Sequence, residues 1–299
     1  MSFWGSYKPH DAYVEPAKAY AALWRLVLGV LVTVFGLVIL RELLFQTACR
    51  LAGSQAFQLY EEVQIGSTPR ALLLLLCSFG TLSIGIVVAT KSLHRRSARS
   101  LIGPLAPALR DFWTVSKAMI LLFVVLSVLP PWERGGPLVP NLEFGHWALL
   151  LPLSLTGVMI QVSAEEIAFR GYMQQQLAAR FASRWIWMGV PSALFALGHY
   201  MPETAGPHAG VVVLWAAIFG LLMADLTARS GTLGAAIAVH FWNNVAAILI
   251  VSIPDDLYGL ALYIAPFGFE DPEAMRAWMP VDFMLMFVSW LAARLALRR

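Results

Sequence analysis

Charge is what this sequence has least of. Only 13% of its 299 residues are Asp, Glu, Lys or Arg, against about 25% in an ordinary soluble domain. A chain this poor in charge does not supply the wet surface that a water-soluble enzyme of its size needs. Cysteine is scarcer still. Cys49 and Cys77 are the two present, too few for a disulfide framework. Cys77 sits in "LLLLLCSFG" and reads as a small buried residue. Cys49 follows "FQTA", a poor lipoprotein cleavage site because Gln46 stands where an aliphatic residue is wanted. Internal repeats and low-complexity tracts are missing, which excludes solenoids and disordered scaffolds. Residues 1–20 are polar and aromatic, without a short apolar core and small-residue exit. The expectation is no cleavable signal peptide, with the first apolar span serving as an uncleaved targeting element.

What is abundant is hydrocarbon. Hydrophobic residues make up 59% of the chain, and mean hydropathy is +0.69. They come in runs of about 20, the length that crosses about 30 Å of bilayer as a helix. Eight spans are expected, at 21–45, 71–92, 112–130, 147–180, 185–200, 209–228, 232–252 and 279–297, with Pro and Gly in several of the gaps. The fold class is therefore all-α, a polytopic integral membrane protein with about eight transmembrane helices in one bundle around a buried polar cavity. Residues 1–299 are expected to form a single membrane domain, with no appended soluble domain. Segments 47–70 and 254–278 are too long for tight turns, and "FGFEDPEAMRAWM" is the better candidate for a helix lying in the interface.

An even span count puts both termini on one side. That side collects Lys8, Lys18, Lys91, Arg95, Arg96, Arg99, Arg110, Arg180, Arg184, Arg229, Arg298 and Arg299. The opposite loops collect Glu61, Glu62, Glu133, Glu143, Glu203, Asp255, Asp256, Glu270, Asp271 and Glu273; Arg41, Arg50, Arg134 and Arg276 run mildly against the pattern. Basic residues mark the cytoplasmic side, so both termini are expected there. The net charge of +3 reports this orientation and does not argue for nucleic acid.

Ionisable groups within spans cost about 2.5–3.5 kcal/mol each on insertion scales and persist where they pair, face a cavity or act. Few stand out: Glu165, Glu166, Arg170, His199, Asp225, His240 and Asn244, with Arg41 and Glu42 near a span end. The fourth and fifth spans form a hairpin turning near Ala182–Ser183, and Glu165 and His199 lie at nearly equal distances from that turn, roughly 25 Å at helical rise. Gln174, Gln175 and Gln176 suggest that the cytoplasmic interface comes before the turn. His240 and Asn244 lie roughly 12–20 Å into the seventh span. Three spans thus carry a carboxylate, an imidazole and an imidazole with an amide to similar depths.

The faces agree. His240 and Asn244 are i and i+4, as are Phe195 and His199, which sets an aromatic ring beneath the second histidine. Glu166 and Arg170 share that spacing in the favourable order for an ion pair. Glu165 points about 100° away from Glu166, so the two carboxylates have different roles. In a dry setting Glu165, with His199, is suited to deprotonate a water. His240 and Asn244 are then donors to the oxyanion formed at a peptide carbonyl. A zinc reading uses the same atoms, with Glu165, His199 and His240 as ligands, although no HExxH is present.

Each residue alone has a plainer reading. A Glu–Arg pair at this spacing is often structural, a lone buried histidine is often a packing residue, and Asn244 alone is interhelical glue, a role Asn243 can share. Asp225 bonds Arg229 and carries no chemistry. His208, between Pro207 and Gly210, is expected in water; His146 and Trp147 read as an interfacial anchor.

Together the three motifs resemble a known family. "EEIAFR" is similar to the EExxxR motif of the CPBP family, the CAAX proteases and bacteriocin-processing or abortive-infection proteins. "FALGH" and "HFWNN" are similar to its FxxxH and HxxxN motifs, in the same order. The resemblance covers roughly residues 147–252, the expected catalytic core. It implies an eight-helix bundle with a water-accessible cavity and an intramembrane endopeptidase related to the Ras-converting CAAX protease. By motif it implies Glu165 and His199 as the water-activating pair, His240 and Asn244 as the oxyanion site, and Glu166, Arg170 and Phe195 in support. The glutamate-type mechanism without a cofactor is favoured over the zinc version. The implied partners are a lipid bilayer and a membrane-embedded or lipidated substrate, and the composition points to a bacterial inner membrane. Two other classes compete: a non-enzymatic membrane immunity or binding protein, and a proton-coupled carrier. The lack of paired broken-helix repeats weighs against the carrier.

Overall fold

The computed structural model describes residues 7–129 and 136–298; Glu133, Arg134, Arg299, the residues between Leu129 and Gly136, and the expected end of the third span at 130 lie outside them. Six helical stretches are long and apolar enough to cross a membrane: Leu23–Ile65, Pro69–Leu93, Ala98–Val128, Phe144–Arg180, Pro202–Ser230 and Pro272–Leu297. The expected fifth and seventh spans are there as shorter apolar helices, Trp185–Leu197 and Gly234–Ile250. Eight apolar helical segments were expected to span; two of them fall short of that length.

The individual helices are α1 (Lys8–Lys18), α2 (Leu23–Ala52), α3 (Ala56–Ile65), α4 (Pro69–Ser78), α5 (Gly80–Leu93), α6 (Leu105–Val128), α7 (Phe144–Glu166), α8 (Gln175–Arg180), α9 (Val190–Leu197), α10 (Pro202–Ala205), α11 (Ala209–Ser230), α12 (Gly234–Asn244) and α13 (Pro272–Leu297). Wider π-helical turns join or extend them at Ile167–Gln174, Trp185–Gly189 and Val245–Ile250. Such turns are rare and concentrate at functional positions. Large apolar side chains face outward, Phe35 at 73% exposure and Leu149 at 77%, as a lipid-facing surface requires and a water-facing one does not tolerate.

Helices approach closely where side chains are small. A Cβ on Gly220 of α11 would meet Ser192 of α9 at 2.9 Å, and one on Gly234 of α12 would meet the Ala108 carbonyl of α6 at 2.0 Å. Close backbone approach at small residues is how membrane helices gain packing where burial alone gives no drive. The central core gathers Met119, Phe195, Phe219, Met223, Val239 and Met286. A second core packs Ala89, Ala168, Tyr172 and Trp187, and a third Leu72, Leu76, Val158, Val162 and Leu249. The helix carrying Glu165 contributes to the third, and its π-helical continuation to the second.

Several expectations are corrected. "FGFEDPEAMRAWM" does not form a separate interfacial helix; from Pro272 it is the first turns of α13, with Asp271 capping Ala274 N. Residues 56–65 do form the short helix α3. The fold is all-α as expected, with one small sheet of two-residue strands, β1 (Val139–Pro140), β2 (Val251–Ser252) and β3 (Tyr263–Ile264), in the order β1-β3-β2. Gln174, Gln175 and Gln176 are buried within the protein. They are covered by α1, whose apolar stripe at His10, Tyr13, Val14 and Ala17 is buried; Gln175 donates to Tyr13 O at 2.5 Å. That stripe has helical spacing and was legible in the sequence. His208 is buried rather than solvated, while Cys77 is exposed on the bundle surface rather than buried.

Asp225 does bond Arg229, at 2.8 Å, and it does more. It accepts the Tyr7 hydroxyl at 2.6 Å and the Trp290 indole at 3.0 Å. The first and last helical regions therefore meet at one end of the bundle. Outside the spans, burial and the Asp225 hydrogen bond push the Tyr7 phenol up to about 12.

Candidate active site

The Glu166–Arg170 spacing gives the expected pair. Arg170 Nη1 donates to Glu166 Oε1 at 3.0 Å, with both side chains buried. Its Nη2 donates to Gly220 O at 3.2 Å on α11, and its guanidinium lies 4.8 Å from the Phe195 ring centroid. Arg170 thereby ties the π-helical turn after α7 to both α9 and α11.

His240 of α12 is held between two carboxylates. Its Nδ1 lies 2.8 Å from Glu166 Oε1 and its Nε2 3.4 Å from Glu165 Oε2. The 100° offset of Glu165 from Glu166 is thus used to reach opposite nitrogens of one ring. The contact to Glu166 is a hydrogen bond and orients the ring. The approach of Glu165 is close enough for an ion pair, yet it does not meet hydrogen-bond geometry. Glu165 Oε2 is buried with no hydrogen-bond partner, and so is Glu166 Oε2. A buried carboxylate oxygen without a donor is costly.

His199 follows α9. Its Nδ1 bonds Phe195 O at 2.9 Å, and its ring lies 4.5 Å from that of Phe195. The Phe195 ring is in turn 6.2 Å from His240, edge to face. One aromatic ring separates the two histidines. The direct partner of Glu165 is His240 and not His199. Asn244 Nδ2 donates to Gln161 Oε1 at 2.8 Å, and this bond orients the amide and leaves its second N–H unused.

The zinc set does not gather. Among the described residues no group of three or more His, Cys, Asp or Glu side chains is arranged to hold a metal ion.

Sequence reasoning missed Gln161, Phe219 and the Gly220 carbonyl. Gln161 had a signal, since it lies one turn before Glu165 in an otherwise apolar run. Phe219, whose ring is 4.9 Å from that of His240, had none.

A cavity of about 710 Å³ opens beside the site, bounded by α6, the start of α11, the turns after α12, β2 and α13. Of the predicted site residues, Asn244 alone lines it.

Residues 147–246 match the sequence model of the type II CAAX prenyl endopeptidases, Rce1-like. All three motifs fall inside the match. The chain carries an Rce1-like segment. The Rce1-like match stops just short of 252, the expected end of the core, and leaves the first three spans and the last outside it. One curated relative, the uncharacterized protein YyaK of Bacillus subtilis (strain 168), is 23% identical over 265 residues, which is 83% of this chain and 85% of that protein. No solved structure matches significantly. The matched segment is a third of the chain, and the family it resembles is described as one of endopeptidases.

Proposed function

We propose that the protein is a glutamate-type intramembrane endopeptidase that cuts a peptide bond of a membrane-embedded or lipidated substrate. The observation that carries this is Glu165 Oε2, buried, without a hydrogen-bond donor and 3.4 Å from His240 Nε2. A water bound there loses a proton to Glu165 as its oxygen attacks the substrate carbonyl carbon. The oxyanion accepts hydrogen bonds from the free N–H of Asn244 and from a His240 ring N–H. Glu165 then passes its proton to the amide nitrogen, and the C–N bond breaks. Glu166 and Arg170 hold His240 in register, while His199 packs behind Phe195, the ring that lies edge to face against His240. No step needs zinc.

The charge alternation between loops supports cytoplasmic termini in a bacterial inner membrane. The meeting of Tyr7 and Trp290 at Asp225 is consistent with both chain ends on one side.

The test uses purified protein in liposomes with a panel of membrane-anchored reporter peptides carrying a fluorophore and a quencher. The native chain should cleave at least one reporter and continue under strong chelation. Glu165→Ala should cleave none while keeping native circular dichroism. Normal cleavage by Glu165→Ala would end the proposal.

A further inference from the structure

The 710 Å³ cavity is apolar on most of its wall, with Phe123, Trp215, Trp242 and Phe283 among the lining side chains. Two carboxylates interrupt that wall, Asp256 in the turn after β2 and Asp282 in α13. Asp282 lies within a candidate span, where a carboxylate is retained when it pairs, faces a cavity or serves a function, and Asp282 does line this one. Burial raises the Asp256 carboxyl to about 6, a direction that an adjacent cation would reverse. The cavity also touches extended backbone. Val251 and Ser252 line it, and in the order β1-β3-β2 they form an edge strand. An edge strand in a pocket favours an extended polypeptide over a lipid tail as occupant.

We propose that this cavity holds an extended apolar segment of the substrate, and that Asp256 and Asp282 select a lysine or arginine flanking it. The inference rests on the endopeptidase reading for the word substrate. Asn244, shared by cavity and site, joins the bound segment to the reacting bond. The same carboxylates repel a free C-terminal carboxylate or an acidic residue at that place, so specificity has an attractive and a repulsive part.

The experiment measures binding, not turnover. Full-length Glu165→Gln protein in phosphatidylcholine nanodiscs is titrated with fluorescent apolar peptides identical except for one lysine, acetyl-lysine or glutamate. Lysine should bind about tenfold tighter than acetyl-lysine, with glutamate weakest. Asp256→Asn with Asp282→Asn should reduce the preference to about twofold or less while apolar binding persists. Equal affinity for lysine and acetyl-lysine on the Glu165→Gln chain overturns the proposal without touching either aspartate. So does an unchanged preference in a folded double variant. If the lysine preference stands but no reporter is hydrolysed, the endopeptidase reading fails and the charge selection survives.

Discussion

Glu166 Oε1 sits 2.8 Å from His240 Nδ1 and 3.0 Å from Arg170 Nη1, so one carboxylate oxygen serves an imidazole and a guanidinium on different helices. The Oε2 of Glu165, its neighbour in sequence, has no hydrogen-bond partner.

This difference predicts opposite phenotypes for adjacent residues. Glu166→Gln leaves the Arg170 charge buried without its partner and should cost about 3–5 kcal/mol of stability. Glu165→Gln removes a carboxylate whose Oε2 makes no hydrogen bond in the fold, so the unfolding midpoint should fall far less while cleavage is lost. Denaturant unfolding of the two variants beside a cleavage assay separates them. Equal destabilisation would contradict the division of roles.

Asn244 is held by Gln161 at 2.8 Å. Asn244→Ala should lower kcat by about 10²–10³-fold with KM little changed, the size expected for one oxyanion donor. Gln161→Leu keeps the amide but frees its rotation and should give a smaller loss of kcat. A larger loss in KM than in kcat for Asn244→Ala would assign the residue to ground-state binding instead.

Gly220→Ala places a methyl 2.9 Å from Ser192 Cβ. It should push α9 from α11 and disturb the Gly220 carbonyl that Arg170 uses, costing about 1–3 kcal/mol. Ser192→Gly in the same chain should restore part of the stability. A neutral Gly220→Ala in thermal unfolding would show that the contact yields easily.

His10 ties α1 to pH. Burial lowers its imidazole to about 4 from the ordinary 6.5, against a smaller opposing pull from Asp11. Its ring stacks 4.5 Å from that of Trp187, and its Nε2 accepts from Gln174 Nε2 at 3.3 Å. Released α1 binds a proton more readily than docked α1 between pH 6.5 and 4. Docking is therefore strongest above 6.5 and weakens as pH falls, by up to about 3 kcal/mol. Hydrogen exchange of residues 8–18 should quicken at pH 5 relative to pH 7 after correction for intrinsic rates. His10→Phe should flatten that response; equal protection of the native chain at both values would refute it.

The sequence by itself determined what depends on local helical geometry. Apolar runs marked the eight helical segments, and i, i+4 spacing paired Glu166 with Arg170 and Phe195 with His199, because helix pitch fixes those neighbours whatever surrounds them. Residues 8–18 carried the same kind of signal in a weaker form. Only the tertiary structure decided that His240 is shared by Glu165 and Glu166, that Asn244 leans on Gln161, and that the glutamine cluster lies under α1. Those relations depend on the rotation and sliding of helices far apart in sequence. They are set by contacts such as Gly220 on Ser192 and Gly234 on Ala108, and by π-helical turns that re-aim the side chains beside each motif, none of which a hydropathy pattern encodes.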